Sequence, residues 1–181
     1  FLIDFTGFSV GKRILASLFQ SVTLRTAGFN TADLGAMSDS SKAIMILMML
    51  IGGSPGSTAG GMKTTTIAVL ILNAFATFGR EPETEVFGRR FDNTVVKNAA
   101  TIAILYFFLF FAGGIAISQI EHVALSDCLF ETASAVGTAG LTLGITTELG
   151  LVSHLILVVL MYLGRVGGLT LIYAAISVKI Q

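Results

Sequence analysis

Two short segments rich in threonine and glycine occur in this chain, Leu-Arg-Thr-Ala-Gly-Phe-Asn-Thr at 24–31 and Val-Gly-Thr-Ala-Gly-Leu-Thr at 136–142. Each follows an apolar stretch too short to cross a bilayer, so each is typical of a loop carried into a membrane by a half-helix. Such a loop can direct backbone carbonyls at a cation. A simpler interpretation stays open, because a glycine after a helix is often only its C-cap.

The composition is that of an integral membrane protein. Of the 181 residues, 54% are hydrophobic and 12% charged, and the mean hydropathy is +0.85. These values lie outside the range of soluble domains. The formal net charge of zero indicates no nucleic-acid partner. The single cysteine, Cys128, and the isolated His122 and His154 exclude an internal disulfide and a metal-ligand cluster.

The ends of the chain carry two further expectations. Residue 1 is Phe, and no charged start with a cleavage site follows it. We therefore expect no signal peptide here and interpret the chain as a fragment of something longer.

A broken helix follows the first loop. A half-helix of about 18 Å is predicted over 13–24 and a membrane helix from near Lys42. Residues 52–61 hold five glycines and a proline, each glycine costing about 1 kcal/mol and proline about 3 relative to alanine in a helix. Irregular backbone inside a membrane is tolerated only where it is buried in protein or lines a water-filled cavity. The break at 52–66 therefore indicates a passageway through the membrane. A glycine-mediated helix contact is the alternative.

The second half of the chain repeats this plan. A charged loop at 80–94 has the Lys and Arg excess of a cytoplasmic linker, and 95–117 is long enough to span a membrane. Ser126 and Asp127 are predicted to cap a short helix over 128–136. That helix leads into the second loop.

A final apolar helix is predicted from Leu151 to about Val178. An offset of 112 residues places Thr26 on Thr138 and Gly52 on Gly164. We therefore predict an all-α membrane protein built from tandem repeats of helix, re-entrant pore-helix and helix.

These residues resemble the Trk/Ktr/HKT superfamily of potassium transporters, most closely the C-terminal half of a bacterial Ktr-type membrane subunit. The most specific motifs lie at 25–31, 52–66, 136–142 and 163–170. The resemblance implies four repeats around one pore. Residues 1–79 would be the third repeat without most of its first helix, 80–94 a linker and 95–181 the fourth. Two loops cannot encircle an ion, so this half alone should not conduct.

The resemblance implies potassium uptake through a selectivity filter of backbone carbonyls, which replace the water shell of the ion. Gly28 and Gly140 would be its central glycines. The partly negative ends of the half-helices favour a cation there. The predicted filter residues are Thr26, Ala27, Gly28, Gly137, Thr138, Ala139 and Gly140.

Below the filter, the resemblance implies a gating loop within the membrane. A charge in an apolar helix usually faces a cavity or partner, so we expect Arg165 to point at this loop and repel cations when it is closed. A structural arginine capping loop carbonyls is the alternative. Lys63 is expected to anchor the loop or snorkel. The predicted gate residues are Gly52, Gly53, Ser54, Gly56, Ser57, Thr58, Gly60, Gly61 and Arg165.

The assembly implied by the resemblance is a homodimer of membrane subunits on a cytosolic nucleotide-binding regulatory ring. Residues 79–94 are a candidate contact for that ring. The protein would lie in the plasma membrane as a multi-pass symporter, in contact with lipid, with its filter loops toward the outside. Potassium is the expected ion and sodium a further candidate, with no organic cofactor.

Two rival functions fit parts of the pattern. A secondary transporter of an organic solute would also use an unwound glycine-rich helix, although it would not need two filter-like loops. An intramembrane hydrolase would use Ser54 or Ser57 as nucleophile and His154 as base. His154 is predicted near the outer start of its helix and the serines deeper, so we expect no enzyme.

Overall fold

The computed structural model describes residues 1, 3–57, 59–79, 85–86 and 89–167. These residues form an all-α fold, as predicted, with a 3-10 turn at Ile145–Glu148 and a two-residue strand pair, β1 (Glu85–Val86) with β2 (Arg89–Arg90). The helices are α1 (Val10–Thr23), α2 (Asp39–Leu50), α3 (Thr64–Phe78), α4 (Asn93–Glu121), α5 (Leu125–Gly137) and α6 (Leu151–Val166).

One helix is much longer than the others. Within the described ranges, α4 alone is long and apolar enough to cross a bilayer, with 29 residues and about 44 Å of rise. The apolar helices α3 and α6 are shorter. With 14 and 13 residues, α1 and α5 reach about 20 Å, roughly half of that distance. The division of the chain into repeats stays a prediction.

The half-helix α5 lies at the centre of the fold. It packs against α2, α4 and α6, and its side chains from Phe130 to Val136 are buried. Glycines permit this close packing. A Cβ added to Gly114 of α4 would lie 2.6 Å from Leu129 Cδ2, and one added to Gly164 of α6 would overlap the Val136 carbonyl. The second loop is therefore supported by helices on several sides.

The half-helix α1 is far less covered. Only Gln20 and Thr23 of its side chains are buried, whereas Ile14, Leu18 and Val22 are more than half exposed. The apolar spacing that predicts this helix thus forms a stripe that other described residues leave uncovered.

Several helix boundaries differ from those predicted. Helix α1 begins at Val10 rather than Arg13. Helix α5 begins at Leu125 with Ala124 as N-cap, so the prediction that Ser126 and Asp127 cap it was wrong. Both lie inside the first turn, where Asp127 still complements the helix dipole.

The last helix is shorter than predicted over its described part. Helix α6 ends at Val166, because Gly167 leaves helical geometry with φ +85°. The predicted continuation over 168–178 lies outside the described residues.

The chain leaves helical geometry over the glycine-rich stretch. Helix α2 ends at Leu50 and α3 begins at Thr64. The excursion between them is closed at its base, where Gly52 N–H donates to the Met62 carbonyl at 2.8 Å and Met62 N–H donates to that of Leu50 at 3.1 Å. We call the excursion the intramembrane loop (residues 52–61) after the location predicted for it, and its described residues are 52–57 and 59–61.

Candidate ion-binding site

The two Thr-Ala-Gly loops share one unusual backbone. Thr26 and Thr138 have φ values of +63° and +51°, and Gly28 and Gly140 have +72° and +83°. Among the described non-glycine residues only His122 also has a positive φ. A left-handed conformation costs an L-residue about 1–2 kcal/mol. Both loops thus have left-handed residues at the same two positions, at the predicted 112-residue offset.

Neither glycine is the C-cap residue of its half-helix. Thr138 is the left-handed C-cap of α5, and the C-cap of α1 is Leu24, in a right-handed conformation. Gly28 and Gly140 lie beyond these caps. The simpler interpretation, in which each glycine is only a C-cap, is therefore wrong.

The two loops meet at their glycines. A Cβ added to Gly28 would lie 2.7 Å from the Ala139 carbonyl oxygen and 3.6 Å from Gly140 Cα. One added to Gly140 would lie 3.7 Å from Gly28 Cα. Two segments far apart in the sequence are thus in contact, and the contact requires the absence of a side chain at Gly28.

Hydrogen bonds of the first loop fix the direction of its carbonyls. The N–H groups of Ala27 and Gly28 donate to the Thr23 carbonyl at 3.3 and 3.2 Å. In a trans peptide the C=O points opposite to the N–H, and no described peptide bond is cis. The carbonyls of Thr26 and Ala27 therefore point away from the Thr23 carbonyl at the end of α1.

Hydrogen bonds to helix carbonyls also orient the carbonyls of the second loop. Ala139 N–H donates to the Ser134 carbonyl at 2.9 Å, and Thr138 N–H donates to that of Ala135 at 3.1 Å. The carbonyls of Gly137 and Thr138 consequently point away from these acceptors in α5. Ala139 directs its own carbonyl toward Gly28.

A hydroxyl in each half-helix binds the residue after the glycine. Thr23 Oγ1 donates to the Phe29 carbonyl at 2.9 Å, and Ser134 Oγ accepts from Leu141 N–H at 2.9 Å. Each hydroxyl lies five residues after the first residue of a Leu-Phe pair, at Leu18 and Leu129. We did not identify these hydroxyls from the sequence, although their position after the Leu-Phe pair was the available signal.

Glu131 binds the segment that follows the second Thr-Ala-Gly loop. Its side chain is buried, and Oε1 accepts from Thr142 Oγ1 at 2.7 Å and from Leu143 N–H at 2.9 Å, while Oε2 accepts from Thr146 Oγ1 at 2.6 Å. Glu131 was not predicted from the sequence. Its signal was an acidic residue in an apolar half-helix, the same reasoning that singled out Arg165.

A carboxylate fastens the start of α2. Asp4 Oδ1 accepts from Ser38 N–H at 3.0 Å, and Oδ2 accepts from Ser41 Oγ at 2.5 Å. The hydrogen bond from Ser41 is the main reason that the pKa of Asp4 lies below its ordinary value, ahead of the opposing effect of burial. The segment before α1 is thereby joined to the helix after the first loop.

Glu121 fastens the start of α6 in the same way. Its Oε1 accepts from Gly150 N–H at 2.8 Å and from Ser153 Oγ at 2.5 Å. Gly150 and Ser153 are offset by 112 from Ser38 and Ser41. We call these two arrangements the carboxylate clasps.

The intramembrane loop contacts the second Thr-Ala-Gly loop directly. Gly60 N–H donates to Thr138 Oγ1 at 3.0 Å, and Gly61 N–H donates to the Gly164 carbonyl at 3.3 Å. Lys63 Nζ donates to the carbonyls of Ser57 and Ala59 at 3.2 and 2.5 Å. Lys63 therefore anchors the loop.

The remaining predicted gate residues differ in exposure. Gly52 is buried against the Gly60 carbonyl, and Gly53 lies beside Ser57 and Ala59. Ser54, Gly56 and Ser57 are exposed. Thr58, also predicted to belong to the gate, lies outside the described residues.

Arg165 lies in the last turn of α6 between two cavities. One, of about 590 Å³, is also lined by Glu131, Thr138 and Gly140. The other, of about 370 Å³, is also lined by Lys63 and by the loop residues Ser57, Ala59 and Gly61. Arg165 is thus adjacent to both the second Thr-Ala-Gly loop and the intramembrane loop.

The residues of the rival hydrolase are not assembled. His154 Nδ1 lies 3.0 Å from the Gly150 carbonyl of its own helix, and Ser57 Oγ donates to the Ser54 carbonyl at 2.7 Å. Neither contact joins the histidine to a serine.

Known proteins of similar sequence are cation transporters. Residues 5–180 match the TrkH family, described as "Cation transport protein". The chain is 37% identical over 162 residues to "Ktr system potassium uptake protein B" of Bacillus subtilis, covering 90% of this chain and 36% of the relative. It is 40% identical over 167 residues to the protein of the same name from Vibrio alginolyticus, covering 91% and 36%.

A third relative carries a broader name. "Potassium/sodium uptake protein NtpJ" of Enterococcus hirae is 36% identical over 167 residues, covering 90% of this chain and 37% of the relative. The chain thus spans somewhat more than a third of the length of these relatives. The family match nonetheless extends over nearly all of it, so the chain belongs to the TrkH family of cation transport proteins, which are transporters and not enzymes.

Proposed function

We propose that this chain forms part of the pore of a potassium uptake protein in the plasma membrane, with the two Thr-Ala-Gly loops contributing to its selectivity filter. The contact between Gly28 and Gly140 carries the proposal, because it brings two loops of the same strained backbone to one place. Several carbonyls around one point can replace the hydration shell of a cation.

The hydrogen bonds of the loops support this assignment. The carbonyls of Thr26, Ala27, Gly137 and Thr138 point away from their half-helices, since the N–H groups that follow them are bound to helix carbonyls. These carbonyls are then free to face an ion. Loops from the part of the protein beyond this chain complete the ring of ligands.

Potassium is the proposed ion because two of the relatives are named as potassium uptake proteins. The third is named for potassium and sodium. Sodium is therefore proposed as a second ion, either as competitor or as the coupled ion of a symporter.

We propose that the intramembrane loop and Arg165 form the gate. Gly60 of the loop is bonded to Thr138, and Arg165 lines cavities beside both. A fixed positive charge at that point repels a permeating cation, at an energy that grows as water is excluded. Movement of the loop then changes the passage next to the filter.

We propose that the complete protein is a multi-pass homodimer with a cytosolic nucleotide-binding regulatory ring. Residues 79–94 remain the candidate contact for that ring. Of these, 80–84 and 87–88 lie outside the described residues, so this proposal rests on the family resemblance.

Uptake of rubidium into potassium-starved cells tests the function. The full-length parent should take up rubidium in preference to sodium. Gly140→Ser should weaken affinity or selectivity, because a side chain is unfavourable at φ +83°. An exposed change remote from the loops, Ser40→Ala, is the control. A correctly inserted parent that moves no rubidium, or one whose uptake organic solutes abolish, contradicts the proposal.

Arg165→Ala tests the gate separately. Removal of the charge should alter flux or ion affinity while the wild-type fold is retained. Unchanged rubidium flux and affinity in this variant would exclude Arg165 from the gate and leave the filter assignment intact.

A further inference from the structure

Glu131 is a buried acidic residue that the proposed filter and gate do not use. Its side chain is 4% exposed and accepts hydrogen bonds from the segment that follows Gly140. The donors come from Thr142, Leu143 and Thr146, which lie 11, 12 and 15 residues further along the chain. The carboxyl group therefore binds both ends of the segment 142–146, which follows the second Thr-Ala-Gly loop.

The bond to Leu143 N–H has a consequence for the residue before it. The peptide that joins Thr142 to Leu143 is trans, so the Thr142 carbonyl points opposite to the bound N–H and away from Glu131 on α5. Ser134 acts in the same way two residues earlier, since it binds Leu141 N–H and leaves the Gly140 carbonyl pointing away. The carbonyls of Gly140 and Thr142 therefore both point away from α5.

The first repeat lacks this arrangement. Gln20 follows Leu18-Phe19 as Glu131 follows Leu129-Phe130. It is 1% exposed, and its Nε2 contacts Met45 Sδ at 3.5 Å. Its Oε1 has no hydrogen-bond partner among the described residues. The amide thus makes no bond to the first loop, so the two repeats differ at this position.

We propose that Glu131 is a positioning residue for ion binding, which fixes the Thr142 carbonyl as an additional ligand beyond Gly140. The inference rests on the proposed filter function and extends it by one carbonyl in the second loop. In this proposal, the position of the Glu131 acceptor oxygens, and not the charge of the side chain, sets the direction of the Thr142 carbonyl.

Two substitutions separate the position of the acceptor from its charge. Glu131→Gln keeps the length of the side chain and one acceptor oxygen for Leu143 N–H, while its amide can donate to Thr146 Oγ1. Glu131→Asp keeps the carboxyl group but withdraws it by about 1.5 Å, one carbon–carbon bond. Glu131→Gln is isosteric and Glu131→Asp removes one methylene group, so neither variant adds bulk to the buried site and both should fold.

Rubidium uptake by the full-length parent, at equal membrane abundance, gives KM and Vmax. Glu131→Asp should raise KM about tenfold, the equivalent of one lost hydrogen bond, with a smaller change in Vmax. Glu131→Gln should stay within about threefold of wild type, because the Leu143 bond survives. The reverse order, with Gln impaired and Asp normal, would assign the effect to charge and overturn the proposal.

Gln20→Asn is the matched control, since it shortens the equivalent side chain in the first repeat by the same length. It should leave KM within about twofold of wild type. Equal KM values for Glu131→Asp and wild type would also overturn the inference while leaving the filter intact. Absence of rubidium uptake by the wild type would instead remove the proposed function itself.

Discussion

The backbone N–H of Gly60 donates a hydrogen bond of 3.0 Å to the hydroxyl of Thr138, and so joins two segments 78 residues apart. A Cβ added to Gly60 would lie 2.6 Å from Thr138 Cγ2. The intramembrane loop therefore contacts the second Thr-Ala-Gly loop through the side chain of Thr138. Any displacement of Gly60 must alter the surroundings of Thr138.

The Gly60 contact can be tested by a double-mutant cycle. Gly60→Ala should destabilise the parent by about 1–3 kcal/mol because the added methyl group overlaps Thr138. Thr138→Ala removes the obstacle but leaves an N–H without an acceptor. In the double variant the two effects should deviate from additivity by about 1 kcal/mol or more. Thermal unfolding in detergent measures each variant, and strict additivity would contradict the contact.

Alanine at the two loop glycines should have unequal effects. Gly28→Ala introduces both a positive-φ residue and a 2.7 Å contact with the Ala139 carbonyl, whereas Gly140→Ala meets nothing nearer than 3.7 Å. Gly28→Ala should therefore lower the melting temperature more than Gly140→Ala does. The difference in the free energy of unfolding should be about 1 kcal/mol or more. Parallel melting curves decide this, and equal losses would mean that the loops are not in contact.

Acid should weaken the Asp4 clasp. The folded pKa of Asp4 lies below its ordinary value of 3.8, so its contribution to stability is complete above that pH and is lost as the pH falls through the folded value. Ser41→Ala removes the main cause of the lowered pKa. The variant should be less stable than wild type near neutral pH, with the difference narrowing below about pH 4. Melting curves across this range test it, with Ser40→Ala as control.

Two glycines of the helix contacts should differ in tolerance. A Cβ on Gly164 would overlap the Val136 carbonyl, which is backbone and cannot move aside. One on Gly113 would lie 2.6 Å from Leu160 Cδ1, the end of a flexible side chain. Gly164→Ala should therefore cost about 2–3 kcal/mol and Gly113→Ala about 1 or less. A greater loss of thermal stability in Gly113→Ala would contradict this packing of α5 against α6.

The all-α fold could be predicted because apolar runs at helical spacing are local in the sequence. Thr138 in a left-handed conformation could not be predicted, since β-branched residues are disfavoured there. Only the surrounding structure holds it in place. The start of α5 at Leu125 was also missed, because the cap residues Ser126 and Asp127 were assigned by type alone.

The glycines of the candidate site could be predicted from the sequence, but the residues that hold the loops in place could not. The motif repeat identified Gly28 and Gly140, but the partners of Glu131 lie 11 to 15 residues away across a turn of the chain. No helical or strand period links such positions. The Gly60 contact with Thr138 is more distant still and becomes visible only when α2 and α5 are packed together.

The carboxylate clasp at Glu121 closes a segment of the chain into a ring. It joins the end of α4 to the start of α6, and the enclosed chain consists of α5 and the second Thr-Ala-Gly loop. The perimeter of this ring is set by covalent bonds and two short hydrogen bonds, independently of the lipid around it. In a thicker or thinner bilayer the long helices can tilt as rods. The closure of this segment by Glu121 would then not depend on how far those helices tilt.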